Sequence, residues 1–448
     1  MEINSFTLAN GLRLLHSYDA STQMVCLNTL FKVGSRNESP EHTGFAHLFE
    51  HLMFGGSVNI PDFDMPLQNA CGENNAYTST DYTNYYTIIP AQNVETAFWL
   101  ESDRMLSLAF TPQSLEVQRK VVMEEFKLNY INQPYGDISH ILAALSYKQH
   151  PYRWPTIGLK LSHIADATMD DVKQFFYRFY RPSNAILAIT GNISWDDALR
   201  LTEKWYGDIP MKKKMKNEEC RMKNESYSSP VQSKIHSSFG SEATILHSSF
   251  ITPEPPQLRQ RRKTVHRNVP HSVLLMAFHI PARMHPDFQV CDMISDVLAN
   301  GKSARFWRDL VEGKRLFLSL DAYVSGRIDS GQLIIEGIPA EGVDMHDAEV
   351  TIWDELDRLR HELVPEQEIQ KLKNKYEASS AMQCTEYTQR AERLAYFEML
   401  GDASLINQDI PLYCKTTATD LRRVSRQILT RKNSSILYYL SKTTDGAE

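Results

Sequence analysis

Two histidines four positions apart, His47 and His51, flank a glutamate at Glu50. On a helix, positions i, i+3 and i+4 share one face. Both imidazoles can then meet a single metal ion through neutral ring nitrogens, while the carboxylate projects beside it and is placed to take a proton from water. The order His-x-x-Glu-His reverses the better-known zinc-protease motif. No other two of the 15 histidines lie three or four positions apart. A polar helix face could carry the same residues, but the flanks argue otherwise. Phe45, Ala46, Leu48, Phe49, Leu52, Met53 and Phe54 make the segment apolar nearly all round, which predicts a buried helix. Buried His and Glu need partners, and a metal supplies one.

Zinc in a catalytic site takes three protein ligands and keeps a fourth position open. The segment 118–126 offers the third. On a helix Glu125 shares a face with Val121 and Val122, whereas Glu124 lies about 100° round and points toward solvent or the outer shell. Without the upstream histidines, the two glutamates would read as a charged pair on a solvated helix face.

These residues need a scaffold. The 448 residues are long for one domain. Hydrophobic residues make up 42% and charged residues 23%, which excludes a disordered chain, a coiled coil and collagen. A net charge of −7 does not suit a nucleic-acid binder. No apolar run approaches the length of a membrane span, and the first residues carry no signal-like core. Six scattered cysteines, with no Cys-x-x-Cys pair, favour reduced thiols in a cytoplasmic protein.

The pattern predicts a hairpin over 1–35 turning at Asn10-Gly11, a helix over 43–55 and a single strand over 77–89. Helices follow over 93–108 and 112–131, the second capped at Thr111-Pro112. Further on come a helix over 168–180, a strand over 184–189 and a helix over 195–205. Residues 211–253 are rich in Lys, Ser, Asn and Glu and read as a polar linker or inserted surface segment, of which 217–250 is expected to be dispensable for folding. Beyond it lie a strand over 273–280, helices over 286–299 and 303–312, strands over 316–339, and helices over 345–363 and 365–400. The segment 171–187 resembles 420–437, so the chain reads as two halves of one design, offset by about 250 residues. The expected organisation is 1–210, a linker 211–253, and 254–448.

The stretch Thr43-Gly44-Phe45-Ala46-His47-Leu48-Phe49-Glu50-His51-Leu52-Met53-Phe54-Gly55-Gly56-Ser57, followed by Val121-Val122-Met123-Glu124-Glu125, resembles the pitrilysin/insulinase family of inverted-motif zinc peptidases. It is most similar to half-length bacterial members and to the zinc-bearing subunit of mitochondrial processing peptidase. The resemblance implies an α+β fold of two homologous domains, each a mostly antiparallel sheet packed by helices, together forming half of a clamshell. It implies one Zn2+ per chain on His47, His51 and Glu125, with Glu50 as the base. Gly72 to Ser79 matches the family's Asn-Ala-aromatic-Thr segment, an edge strand that hydrogen-bonds an extended substrate, which places Asn75 and Ala76 in substrate binding. Read without the family, Asn74-Asn75 is a turn leading into a strand.

Three positions depart from the family pattern. Gln118 stands where many members carry a glutamate behind the ligand Glu, a role that Glu124 could fill instead. In the later half, the positions of a substrate-contacting Arg and Tyr fall on Val311 and Leu318; Arg315 and Tyr323 stand nearby at a spacing of eight, which a local bulge could repair. The expected activity is zinc endopeptidase action on peptides or unfolded segments. The expected partner is a family member without the zinc motif but with the Arg/Tyr pair, a homodimer being the second choice. No nucleic acid or membrane partner is expected. The rival reading is a non-catalytic structural or regulatory subunit; such a chain would be expected to lose Glu50 or a ligand, and this one keeps all four.

Overall fold

Runs of β-branched and aromatic residues closed by turn residues build two sheets. The computed structural model describes residues 1–211 and 251–442, so nearly all of the 211–253 segment lies outside the described residues. The first sheet contains β1 (Asn4–Thr7), β2 (Arg13–Tyr18), β3 (Met24–Phe31), β4 (Glu73–Thr78), β5 (Thr83–Pro90) and β6 (Ala185–Gly191). Their order is β1-β2-β6-β3-β5-β4. Every pairing is antiparallel except β2 with β6. Gly11 turns the chain between β1 and β2 at φ 87°, a conformation that costs glycine nothing.

Five helices follow the early strands: α1 (Phe45–Leu52), α2 (Asp64–Asn69), α3 (Val94–Leu106), α4 (Pro112–Phe126) and α5 (Ile138–Ser146). The Thr111 hydroxyl accepts from Ser114 N–H and Pro112 opens α4, as the sequence predicts. Past Phe126 the helix widens into a π-helical stretch, Lys127–Asn132.

The second sheet holds β7 (Arg261–Arg267), β8 (Val273–Ile280), β9 (Phe317–Ser325), β10 (Gly331–Pro339) and β11 (Ser434–Ser441), in the order β7-β11-β8-β10-β9. With β1 set aside, the two orders coincide strand for strand, and the one parallel pair, β7 with β11, sits where β2 and β6 sit in the first sheet. Reciprocal caps repeat too: Thr168 with Asp171, and Thr417 with Asp420. Even the free edges match. Asn75-Ala76-Tyr77 on β4 has its counterpart in Asp321-Ala322-Tyr323 on β9, and in both the Asx oxygen accepts the next residue's N–H at 2.8 Å. The fold is thus two homologous α+β domains.

Three expectations on elements need correction. The single strand expected over 77–89 is a hairpin, β4 and β5, because the Ser79 hydroxyl accepts from Asp81 N–H and Tyr82 N–H and closes a turn. The helix expected over 365–400 is two, Glu366–Thr385 and Tyr387–Met399, broken at Glu386, whose carboxylate caps the second. Strand β7 and helices α2 and α5 are additions to the expected elements: β7 and α2 carry little apolar periodicity, whereas α5 carries it at Ile138, Ile141, Leu142 and Leu145 and escaped the sequence reading.

The broken helix joins the halves. Ala391, Leu394, Ala395 and Phe397 bury against Leu15, Cys26, Leu30, Ile88, Ile186 and Ala188 of the first sheet. In return, Leu142 and Leu145 of α5 bury against Val265, Val273 and Leu275 of the second. Each half therefore lends a helix to the other's sheet. Cys26 and Cys291 are buried, and the described cysteines are all free thiols. Among the described residues no helix is long and apolar enough to cross a membrane.

Candidate metal centre

Helix α1 begins at Gly44, held at φ 90°. A Cβ there would stand 2.6 Å from the Ile157 carbonyl oxygen, so only glycine fits. Phe45, Ala46, Leu48, Phe49 and Leu52 are buried, leaving His47, Glu50 and His51 as the partly open face. Aromatic packing fixes the helix: Phe49 stacks on Phe175 at 4.8 Å and on Tyr180 at 5.2 Å between ring centroids.

Helix α4 crosses that face and brings Glu125 to it. Glu125 Oε2 lies 3.6 Å from His47 Nε2 and 3.4 Å from His51 Nε2. The three donor atoms sit within 4.8 Å of one another, the one such group of metal-ligating side chains among the described residues. Ligands at about 2.0–2.2 Å from a tetrahedral zinc stand about 3.3–3.6 Å apart, so the two carboxylate–imidazole separations suit that ion, as does the donor set. The His47 Nδ1 atom is buried and has no hydrogen-bond partner among the described residues. Its imidazole therefore depends on the cluster for polar contact.

Protonation follows from surroundings. Burial pushes His47 down to about 4, which keeps the ring neutral and able to ligate. The His51 ring holds Glu125 below the usual carboxylate range. Burial pushes Glu50 up, and the Thr78 hydroxyl, donating to its Oε2 at 2.5 Å, pulls it part of the way back. A carboxylate raised in this way takes up a proton more readily than a solvated one.

Of the other expected residues, Asn75 and Ala76 lie mid-strand on β4, which pairs with β5 on one side and forms the free edge of the sheet on the other. Glu124 points away from the cluster and pairs with Lys127 at 2.6 Å, so it does not stand in for the glutamate that Gln118 replaces. Val121 is 45% exposed while Val122 is fully buried, so Glu125 sits at the boundary between core and opening. Val311 packs partly on the second core, and Leu318 is 55% exposed. A bulge does fall here. Ser319 pairs with Ile338 and Phe317 with Pro339, leaving Leu318 as the extra residue between Arg315 and Tyr323.

Two contributors escaped the sequence reading. Glu38 caps α1 from a preceding loop, and Thr78 holds Glu50 from the edge strand. Glu38 left no signal, since loop length hides the contact. Thr78 had one: strand alternation puts it on the same face as Asn74 and Ala76.

Comparison with known proteins finds family matches along most of the chain. A model described as insulinase, peptidase family M16, matches residues 13–152, and one described as the peptidase M16 inactive domain matches 166–376. The chain is 29% identical to the zinc protease PqqE of Helicobacter pylori over 70% of this chain and 64% of that protein. The match thus spans just under two thirds of that relative. It is 24% identical to YmxG of Bacillus subtilis, an uncharacterized zinc protease, over 96% of each. Its fold is similar to the crystal structure of a protease from Helicobacter pylori, with a TM-score of 0.85 at 24% identity over 98% of this chain and 99% of that one. Pitrilysin aligns at a TM-score of 0.74 and 17% identity, over 98% of this chain but 45% of the pitrilysin chain.

Proposed function

The chain belongs to the pitrilysin/insulinase family, peptidase family M16, and on that premise we propose that it is a zinc-dependent endopeptidase acting on peptides or unfolded segments held in extended form. The convergence of His47, His51 and Glu125 within 4.8 Å, with Glu50 on the same helix face, carries this reading.

His47, His51 and Glu125 would hold the metal. Zinc, when bound at such a site, activates water and polarises a carbonyl. Glu50 takes the proton of the water that attacks the scissile carbonyl and returns it to the leaving amine. The free edge of β4 at Asn75 and Ala76 receives the substrate backbone as an added strand, which orients the scissile bond beside Glu50. The non-catalytic alternative is weakened by the retention of all four residues.

The site is open on one side. Pitrilysin is about twice as long as the aligned region, which supports a site completed by a second half. A developing oxyanion needs preorganised donors, and Val311 and Leu318 offer none. A companion family member with an Arg and a Tyr is the first reading. The bulge at Leu318 and the 42% exposure of Tyr323 support a second, in which another copy presents Arg315 and Tyr323.

Hydrolysis of an unstructured fluorogenic peptide by the zinc-loaded chain tests the proposal. Activity is expected to disappear in Glu50→Gln at unchanged zinc content; activity that survives that substitution overturns it.

A further inference from the structure

Thr78 joins the strand proposed to receive substrate to the residue proposed as the base. Its Oγ1 donates to Glu50 Oε2 at 2.5 Å, the short distance of a hydroxyl bound to a charged acceptor. The other Glu50 oxygen accepts no hydrogen bond among the described residues. One oxygen is thus tethered and the other left for proton transfer.

The tether is rigid at its base. Thr78 is the last residue of β4 and pairs with Thr83, whose hydroxyl donates to the Val33 carbonyl at 2.9 Å. The next residue, Ser79, closes the hairpin, with its N–H donating to the Tyr82 carbonyl at 2.8 Å and its hydroxyl accepting from Asp81 and Tyr82. Threonine adds stiffness of its own, because a β-branched side chain has few accessible χ1 rotamers. Glutamate by contrast has three rotatable bonds, and on this half-open helix face no other hydrogen bond among the described residues fixes its carboxylate. The alternation of β4 separates this contact from the rest of the strand. Asn74, Ala76 and Thr78 face one way, whereas Tyr77 faces the other and its hydroxyl meets Glu392 at 3.5 Å.

We propose that Thr78 is a positioning residue that fixes the Glu50 carboxylate in its proton-accepting orientation and ties it to the strand carrying Asn75 and Ala76. This rests on Glu50 being the base, as argued above. It assigns Thr78 an effect on the chemical step and none on metal or substrate binding.

The test compares zinc-loaded wild type with Thr78→Val, which keeps the shape and removes the donor, and Thr78→Ser, which keeps the donor. Zinc content, kcat, KM and the crystallographic Glu50 rotamer are read for each. Thr78→Val is expected to hold zinc at the wild-type level and keep KM within about twofold, while kcat falls about tenfold to a hundredfold. Its Glu50 is expected to spread over more than one rotamer, and Thr78→Ser to restore both the single rotamer and most of kcat. A wild-type kcat and rotamer in Thr78→Val overturn the inference, as does a loss confined to KM or a Thr78→Ser variant no better than Thr78→Val. The two layers separate cleanly. Activity surviving Glu50→Gln overturns the base assignment itself; activity abolished by Glu50→Gln but indifferent to Thr78→Val overturns the Thr78 inference alone. A chain that cleaves no peptide, alone or with a companion, overturns the peptidase reading, and the rotamer comparison then decides the Thr78 contact by itself.

Discussion

The Glu38 carboxylate accepts the backbone N–H of Ala46 at 2.8 Å, one residue before His47. Its other oxygen accepts from Gly44 at 2.9 Å. A glycine at the N-cap of α1 has no side chain to satisfy these first amides, so a distant glutamate does it. The geometry of the metal helix thus depends on a loop residue eight positions earlier.

Replacing that cap has a defined cost. Glu38→Ala leaves two buried amides unpaired and is expected to destabilise the chain by about 1–3 kcal/mol in urea unfolding. Zinc affinity is expected to fall with it, because α1 loses its fixed start. A variant as stable as wild type would remove Glu38 from this role.

Glu38 also sets a pH dependence. Burial pushes it up from 4.5 to about 8, against the pull of its two amide donors. The folded value lies above the unfolded one, so this contribution is fully present below about pH 4.5 and is lost as pH rises through about 8. Wild-type stability, measured against Glu38→Gln after chelator treatment, is expected to decline across that window by up to about 1.4 kcal/mol per pH unit. A difference that stays flat or grows with pH contradicts this.

Metal retention should sort the site residues. His47→Ala, His51→Ala and Glu125→Ala are each expected to lower bound zinc well below one per chain by elemental analysis, since each removes a donor of the cluster. Glu50→Gln is expected to retain zinc and lose hydrolysis by about a hundredfold or more. Zinc loss in Glu50→Gln alongside retention in Glu125→Ala would exchange their roles and defeat the assignment.

Behind the site lies a buried ion pair. Arg104, 2% exposed, donates to Glu101 at 2.6 Å. Its guanidinium also faces Phe54, Phe63 and Tyr85 at 5.5, 4.8 and 4.6 Å. Arg104→Met strands the Glu101 charge in the core and is expected to cost about 3–5 kcal/mol, with Glu101→Gln in the same chain recovering part of it. A loss under about 1 kcal/mol would mean that solvent reaches Glu101.

The purified chain is expected to be weak alone. Adding a companion family member that carries the Arg and Tyr should raise peptide hydrolysis at least about tenfold, since it supplies donors to the scissile carbonyl. Full activity of the isolated chain, unchanged by any companion, refutes this. If the active species is a dimer of this chain, Tyr323→Phe should lower kcat instead.

The sequence by itself determined the chemistry of α1. The 3.6-residue period places His47, Glu50 and His51 on one face whatever surrounds them, and the same arithmetic separates Glu125 from Glu124. Thr111-Pro112 fixed the start of α4 by local capping, and the two-half design was legible because each half repeats local patterns. Tertiary structure decided the rest. The Thr78 tether and the packing of Tyr387–Met399 on the first sheet join residues far apart in sequence, and the Glu38 cap reaches α1 from the loop before it. No periodicity encodes such contacts, because loop closure and burial select them only once both sheets exist. The break at Glu386 shows the limit best: the pattern on either side is helical, yet beyond it Ala391, Leu394 and Ala395 pack on a sheet built by the other half of the chain.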